Sequence, residues 1–240
     1  MHDANSRIIV SNQTGVHDRL DSLVHKHLAR PFQKPFHDAT LETFYRIRQW
    51  VRADGRPLIF DSCCGVGEST ANLARRHPEA VVIGMDKSAH RLGKHEGYRQ
   101  EADNYLLARV DLNDFWRLAV ADNWRLSHHY LLYPNPWPKS AHLQRRWHGA
   151  AVFPYLLMLG GKLEMRSNWP LYLQEFAQAL AIAGIDATVN SLEFDGEDLT
   201  PFERKYRLSG QPLHQLRADL KEFSLPWQQS LLLPANPAKS

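Results

Sequence analysis

Three acids and a pair of glycines carry the first chemical signal in this chain. Asp61-Ser62-Cys63-Cys64-Gly65-Val66-Gly67 follows a short apolar run. Gly65 and Gly67 stand where a backbone must turn tightly and come close to a ligand. Asp61 closes that run, Asp86 closes a second and Asp111 a third. A carboxylate after the second strand of such an alternation accepts from both hydroxyls of a ribose. An acceptor after the third suits an adenine amino group, and Asp61 would meet an ammonium group or order water near one. The set points to an adenosine-containing cofactor. A dinucleotide site wants a third small residue close behind Gly67, and the nearest is Ala71. S-adenosyl-L-methionine has no pyrophosphate to cradle, so it is the better fit and NAD(P) the second. Acids also end strands simply as turn and cap residues.

The second signal is Tyr133-Pro134-Asn135-Pro136-Trp137-Pro138-Lys139. Three prolines make this loop rigid. His142, Arg145, Arg146, Trp147 and His148 follow, and no acid stands between Pro134 and His148. Cations interleaved with indoles suit phosphates and stacked bases. Lys139, Arg145 and Arg146 are the candidates for phosphate. The bland alternative is a solvated helix face with Trp137 in the core.

These residues need a scaffold, and the pattern supplies one. Residues 1–40 read as a polar N-terminal extension, with His25, Lys26, His27, Arg30, Lys34 and His37 clustered, before a domain spanning 41–240. Thr40 to Val51 has helical spacing with Thr40 as cap, and Asp54-Gly55-Arg56-Pro57 ends it. Strands are expected at Leu58–Phe60, Val81–Met85, Leu106–Val110, Tyr130–Tyr133 and Lys162–Met165, with late strands at Thr188–Phe194 and from Tyr206 onward. Helices are expected at Glu68–Arg76, around Gln144–Leu159, and at Leu171–Ala183. Apolar runs alternating with helices imply βαβ units, an α/β fold and a mostly parallel central sheet with helices on both faces. Ligands then sit at the carboxyl ends of the strands.

Bulk properties agree. The 240 residues are 43% hydrophobic and 23% charged, with net charge +3. That suits one ordinary globular α/β domain. The two cysteines are adjacent, which makes neither a disulfide framework nor a metal-ligand spacing. No run is apolar enough to span a bilayer, and Met1–Asn5 has no signal-peptide character, so the expected location is the cytoplasm, without membrane or metal. Oligomeric state is left open.

The loop carries a family resemblance. Tyr-Pro-Asn-Pro-Trp-Pro-Lys, followed by His142 and Arg145-Arg146, resembles the Phe-Pro-Asp-Pro-Trp-Pro-Lys signature of the tRNA (guanine-N(7)-)-methyltransferase family. Asn104-Tyr105-Leu106-Leu107 leading to Asp111 is similar to its third-strand segment. Ser167-Asn168-Trp169-Pro170-Leu171-Tyr172 is similar to its Thr-Asp-Trp-x-x-Tyr, and Thr200-Pro201-Phe202-Glu203-Arg204-Lys205 to its Thr-x-Phe-Glu-x-Arg/Lys. The likeness runs from Leu58 to Lys205 and is weaker outside. It implies a Rossmann-like class I methyltransferase fold, S-adenosyl-L-methionine as cofactor, and a guanine of the tRNA variable loop as acceptor. It places Asp61, Asp86, Asp111 and Asn135 at the cofactor, beside the turn that Gly65 and Gly67 shape, and Lys139, Asn168, Thr200 and Glu203 at the tRNA or its guanine. Two positions depart from the pattern: the family's catalytic aspartate stands as Asn135, and the aspartate of Thr-Asp-Trp as Asn168. Both keep shape and lose a charge. The departures leave open a different RNA or a small molecule as acceptor, or an RNA-binding homologue weakened as a catalyst.

Overall fold

The computed structural model describes residues 6–98 and 102–236. The Met1–Asn5 start considered above lies outside them. In chain order the elements are α1 (Leu20–Leu28), α2 (Asp38–Asp54), β1 (Leu58–Ser62), α3 (Glu68–Arg76), β2 (Val81–Asp86), α4 (Ala89–Leu92), β3 (Tyr105–Arg109), α5 (Leu112–Ala121), β4 (Leu126–Leu132), α6 (Phe153–Met158), β5 (Lys162–Ser167), α7 (Pro170–Ile182), β6 (Ala187–Ser191), α8 (Pro201–Leu208) and β7 (His214–Asp219).

The strands form one sheet in the order β3-β2-β1-β4-β5-β7-β6. The first five are parallel, and β7 runs antiparallel between β5 and β6. Every residue of β1 and β2 is buried. Strands covered on both faces read as continuous apolar runs, which is why they stood out in the sequence. Alternate residues feed opposite layers. Phe60, Ile83 and Leu131 join Leu20 and Val24 of α1, Phe44 of α2, Phe115 of α5, Leu156 of α6 and Leu173 of α7. Ile59, Val82 and Leu132 face the other way, toward Leu73 of α3, Leu199 and Tyr206. Among the described residues no helix is long and apolar enough to cross a membrane.

Three expectations need correction. No helix spans Gln144–Leu159. The segment makes 3-10 turns at Ser140–Arg145 and Trp147–Gly149, and only Phe153–Met158 is α-helical. Arg146 and Ala150 are extended, and a Cβ on Gly149 would lie 2.3 Å from the Leu143 carbonyl oxygen, so the chain is folded back on itself there. Tyr206 does not open a strand. Pro201 occupies the first turn of α8, the Thr200 hydroxyl caps it by accepting from the Glu203 N–H, and Gly210 (φ +67°) releases the chain before β7. Thr40 lies inside α2, which starts at Asp38 after the extended His37.

β4 carries a histidine into the core. His129 is fully buried, with Nε2 2.9 Å from Ser62 Oγ. Burial pushes its imidazole from 6.5 down to about 3. Between those values the unfolded chain takes up a proton at this residue that the folded chain refuses. Stability therefore falls as acid is added, by up to about 1.4 kcal/mol per pH unit from this group. Denaturant unfolding from pH 7 to pH 4 should show a shallower acid loss for His129→Phe than for the wild type; parallel slopes would acquit His129.

Candidate active site

The strand order reverses between β1 and β4, and a cleft of about 420 Å³ opens there at the carboxyl ends of the strands. Asp86, Asp111, Asn135 and Asn168 all line it. The structure thus gathers four of the expected residues from four separate segments.

Local geometry explains how each is held. In the turn after β1, Gly65 (φ +62°) and Gly67 (φ +80°) take left-handed conformations. A Cβ at Gly67 would lie 2.6 Å from Leu107 and 2.7 Å from His95 Nδ1, so this glycine serves packing. At Gly65 no described atom lies within 4 Å of the Cβ position, so this is the open side of the turn. The Gly65 N–H donates to Asp86 Oδ2 at 3.1 Å, tying the turn to the second acid. Asp86 also accepts from the Ser88 N–H at 2.8 Å and from Arg91 Nη1 at 3.2 Å. Asp111 caps α5, accepting from the Asn113 N–H at 3.0 Å and Nδ2 at 2.9 Å. Burial by itself would raise the Asp111 carboxyl. The Asn113 bonds, with Lys87 and Lys34 nearby, outweigh it and hold the group below the usual range.

Asp61 is fully buried and does not line the cleft. Ser69 and Thr70 hydroxyls donate to its Oδ2 at 2.7 and 2.6 Å, while among the described residues Oδ1 has no hydrogen-bond partner. Burial raises this carboxyl to about 6 despite the two hydroxyls, with the charge of Asp86 adding to the rise.

On the acceptor side, Asn135 is exposed and its Oδ1 accepts from the Trp137 N–H at 3.4 Å. Tyr133 (φ +52°) and Trp137 (φ +46°) flank it in the left-handed region, a strain that needs support from neighbours. The Tyr133 N–H donates to the Arg166 carbonyl at 2.9 Å, and Arg146 Nε donates to the Trp137 carbonyl at 3.2 Å. Asn168 Nδ2 donates to Gln211 Oε1 at 2.8 Å. Lys139 and Arg145 are exposed, with the Arg145 guanidinium 4.7 Å from the Trp137 ring centre.

Other expected residues have different surroundings. Arg146 is fully buried and paired with Glu175, so it offers no face to a phosphate; its charge is spent inside the protein. Thr200 and Glu203 are buried away from the cleft lining. Both Glu203 oxygens accept from Arg166 Nη1 at 3.0 Å. The same helix instead presents Phe202 and Tyr206 to the cleft, with Cys63, Arg91 and Trp147 completing its walls. Phe202 was within reach of sequence reasoning, since it sits inside the Thr200–Glu203 motif.

A methyltransferase family model, described as "Putative methyltransferase", matches residues 55–216. The chain belongs to this methyltransferase family. A tRNA (guanine-N(7)-)-methyltransferase of Bacillus licheniformis is 25% identical over 179 residues, 70% of this chain and 83% of that one. One from Thermotoga maritima is 28% identical over 171 residues, 67% of this chain and 54% of that one. The crystal structure of the 16S rRNA methyltransferase KamB aligns with a TM-score of 0.54 at 16% identity, covering 78% of this chain and 95% of that one. The fold is the Rossmann-like class I methyltransferase fold.

With the family comes S-adenosyl-L-methionine as methyl donor, and the residues of this methyltransferase fit it. Asp86 and Asp111 offer acceptors on the cleft wall, Gly65 leaves an open approach, and the free oxygen of Asp61 supplies a buried negative charge of the kind an ammonium group needs. A cation held near Asp61 would favour its ionised form. Below pH 6, binding must then first expel the Asp61 proton, and cofactor affinity should weaken by about tenfold per pH unit. Calorimetric titration from pH 8 to pH 5 checks this, with Asp61→Asn expected to bind weakly and almost independently of pH. An unchanged wild-type affinity at pH 5 would count against the role.

Proposed function

We propose that this methyltransferase methylates N7 of a guanine in tRNA. The observation that carries the reading is the cleft itself, which brings the candidate adenosine acids Asp86 and Asp111 together with Asn135 and Asn168 of the two motifs on the acceptor side. The curated relatives bearing that name support it.

The chemistry asks little of the protein in proton transfer. Guanine N7 has an in-plane lone pair and no proton, so no general base is required. The cofactor supplies an electrophilic methyl group on a sulfonium. Transfer of that methyl to N7 would leave the sulfur neutral and the purine positively charged. The chain must hold nucleophile, methyl and sulfur in line and keep water out. It must also meet the developing charge with acceptors already in place. Asn135 would do the second with a carbonyl dipole where a carboxylate would act more strongly. Asn168 would offer its Oδ1 to the donor edge of guanine, because Gln211 engages its Nδ2. Exposed Lys139 and Arg145 would take phosphates, which predicts a salt-sensitive KM.

Nucleoside mass spectrometry of tRNA from a deletion strain and its parent is the direct test. The reading expects 7-methylguanosine to fall in the deletion strain and to return with the wild-type gene. Equal levels, together with no methyl incorporation into unmodified tRNA by the purified protein, would overturn it. In vitro, Asn135→Asp should raise kcat by about 5- to 10-fold, the difference between a neutral and a charge-assisted interaction. Asn135→Ala should lower it.

A further inference from the structure

The acceptor side of the cleft is tied to a stretch that lies far away in sequence. Residues 6–17 run along its outer edge and make two sets of contacts. At one end the Ser6 carbonyl accepts from Gln211 Nε2 at 2.7 Å, and the Ser6 N–H donates to Ser209 Oγ at 3.1 Å. At the other end Ser11 Oγ donates to the Pro138 carbonyl at 2.6 Å, and Asn12 Oδ1 accepts from the Ser140 N–H at 2.9 Å. Gln13 then enters a buried network. Its Nε2 donates to Glu175 and its Oε1 accepts from Arg146 Nη2 at 3.0 Å, while the His17 N–H donates to Glu175 at 2.9 Å.

Each set ends on a residue that bonds in turn to the acceptor side of the cleft. Arg146, fixed by Glu175 and Gln13, donates to the Trp137 carbonyl at 3.2 Å and the Lys139 carbonyl at 3.3 Å, holding the strained loop that carries Asn135. Gln211 has its own amide polarity set by Ser6. A backbone carbonyl can only accept, so Gln211 must turn Nε2 toward it and Oε1 toward Asn168. That in turn makes Asn168 the donor to Gln211 and leaves its Oδ1 as an acceptor.

We infer that residues 6–17 form a strap belonging to the acceptor site, which holds the Asn135 loop through Gln13, Glu175 and Arg146 and sets the polarity of Asn168 through Ser6 and Gln211. Glu175, Arg146 and Gln211 are then positioning residues: they act through Asn135 and Asn168. Arg146 matters to the acceptor loop because it is buried, by organising carbonyls.

The inference rests on the acceptor role proposed for the Pro134–Lys139 loop, but the strap itself can be tested without RNA. Amide hydrogen exchange would be followed in the wild type, in Gln13→Ala, and in a chain lacking residues 1–17. Exchange across residues 134–146 should rise by roughly tenfold or more in both variants, with β1, β2 and β4 unchanged. Affinity for S-adenosyl-L-methionine should stay within about twofold, since the strap contacts none of the cofactor acids. On unmodified tRNA, Gln13→Ala should lower kcat and raise KM for RNA, and Gln211→Leu should mainly raise KM. Unchanged exchange in 134–146, or a uniform rise across the sheet with loss of cofactor binding, would overturn the strap. If the wild type methylates no tRNA, the proposed function fails, and the exchange result still decides the strap.

Discussion

Parallel pairing of β1 with β2 on one side and β4 on the other is the constraint from which the rest follows. Both partners run in the same direction, so their connections leave on opposite sides and the loops after β1 and β4 separate at the carboxyl end. The gap between them is the cleft. Everything with chemical potential then has to be delivered to that one edge. Asp86 arrives at the end of β2, Asp111 just past β3, Asn135 just past β4 and Asn168 just past β5.

A second constraint lies beneath the acceptor side. Glu175 and Arg146 are both fully buried, and removing two charges from water costs several kcal/mol per ion unless each is well satisfied. Burial alone would raise the Glu175 carboxyl. His148, Arg146 and Gln13 outweigh it and hold the group below its ordinary range. Arg146 in turn needs acceptors for its remaining N–H groups and finds them on Trp137, Lys139 and Gln13. The need to satisfy one buried ion pair thus draws together α7, the acceptor loop and the N-terminal stretch. Loop strain at Trp137 is held by that network, and strain at Tyr133 by the bond from its N–H to the Arg166 carbonyl.

Legibility in the sequence followed the range of the interaction. β1 and β2 announced themselves as apolar runs, and Asp86 and Asp111 as acids that close strands, because those signals are local. The Pro134–Lys139 loop was legible from its prolines. Arg146 was misjudged because its spacing beside Arg145 looks the same whether it faces solvent or Glu175, and the carboxylate that decides the matter is on another helix. The Gln144–Leu159 segment has the composition of a helix, but Gly149 is pressed against the Leu143 carbonyl, a tertiary contact no local pattern records. Thr200 and Glu203 were placed at the acceptor by resemblance. The structure has Thr200 capping α8 and Glu203 bonded to Arg166, while Phe202 and Tyr206 of the same helix line the cleft.

The two asparagines gain meaning from the charges around them. The cleft walls hold two acids, Asp86 and Asp111, each already facing a cation: Arg91 at 3.2 Å and Lys87 at 3.7 Å. Carboxylates at 135 and 168 would tilt this near-balance strongly negative, at the edge where the proposed tRNA would approach. Amides remove that repulsion and keep the acceptor oxygens. The same exchange weakens the stabilisation of positive charge on the purine, since a carbonyl dipole is a poorer partner for a cation than a carboxylate. On the proposed function the amides would give up some turnover for easier approach, and at position 168 this requires the Oδ1 to be left toward the acceptor. A carboxylate presents an acceptor whichever way it turns. An amide does not, and this is why an asparagine at position 168 needs Gln211 and Ser6 behind it where an aspartate would not.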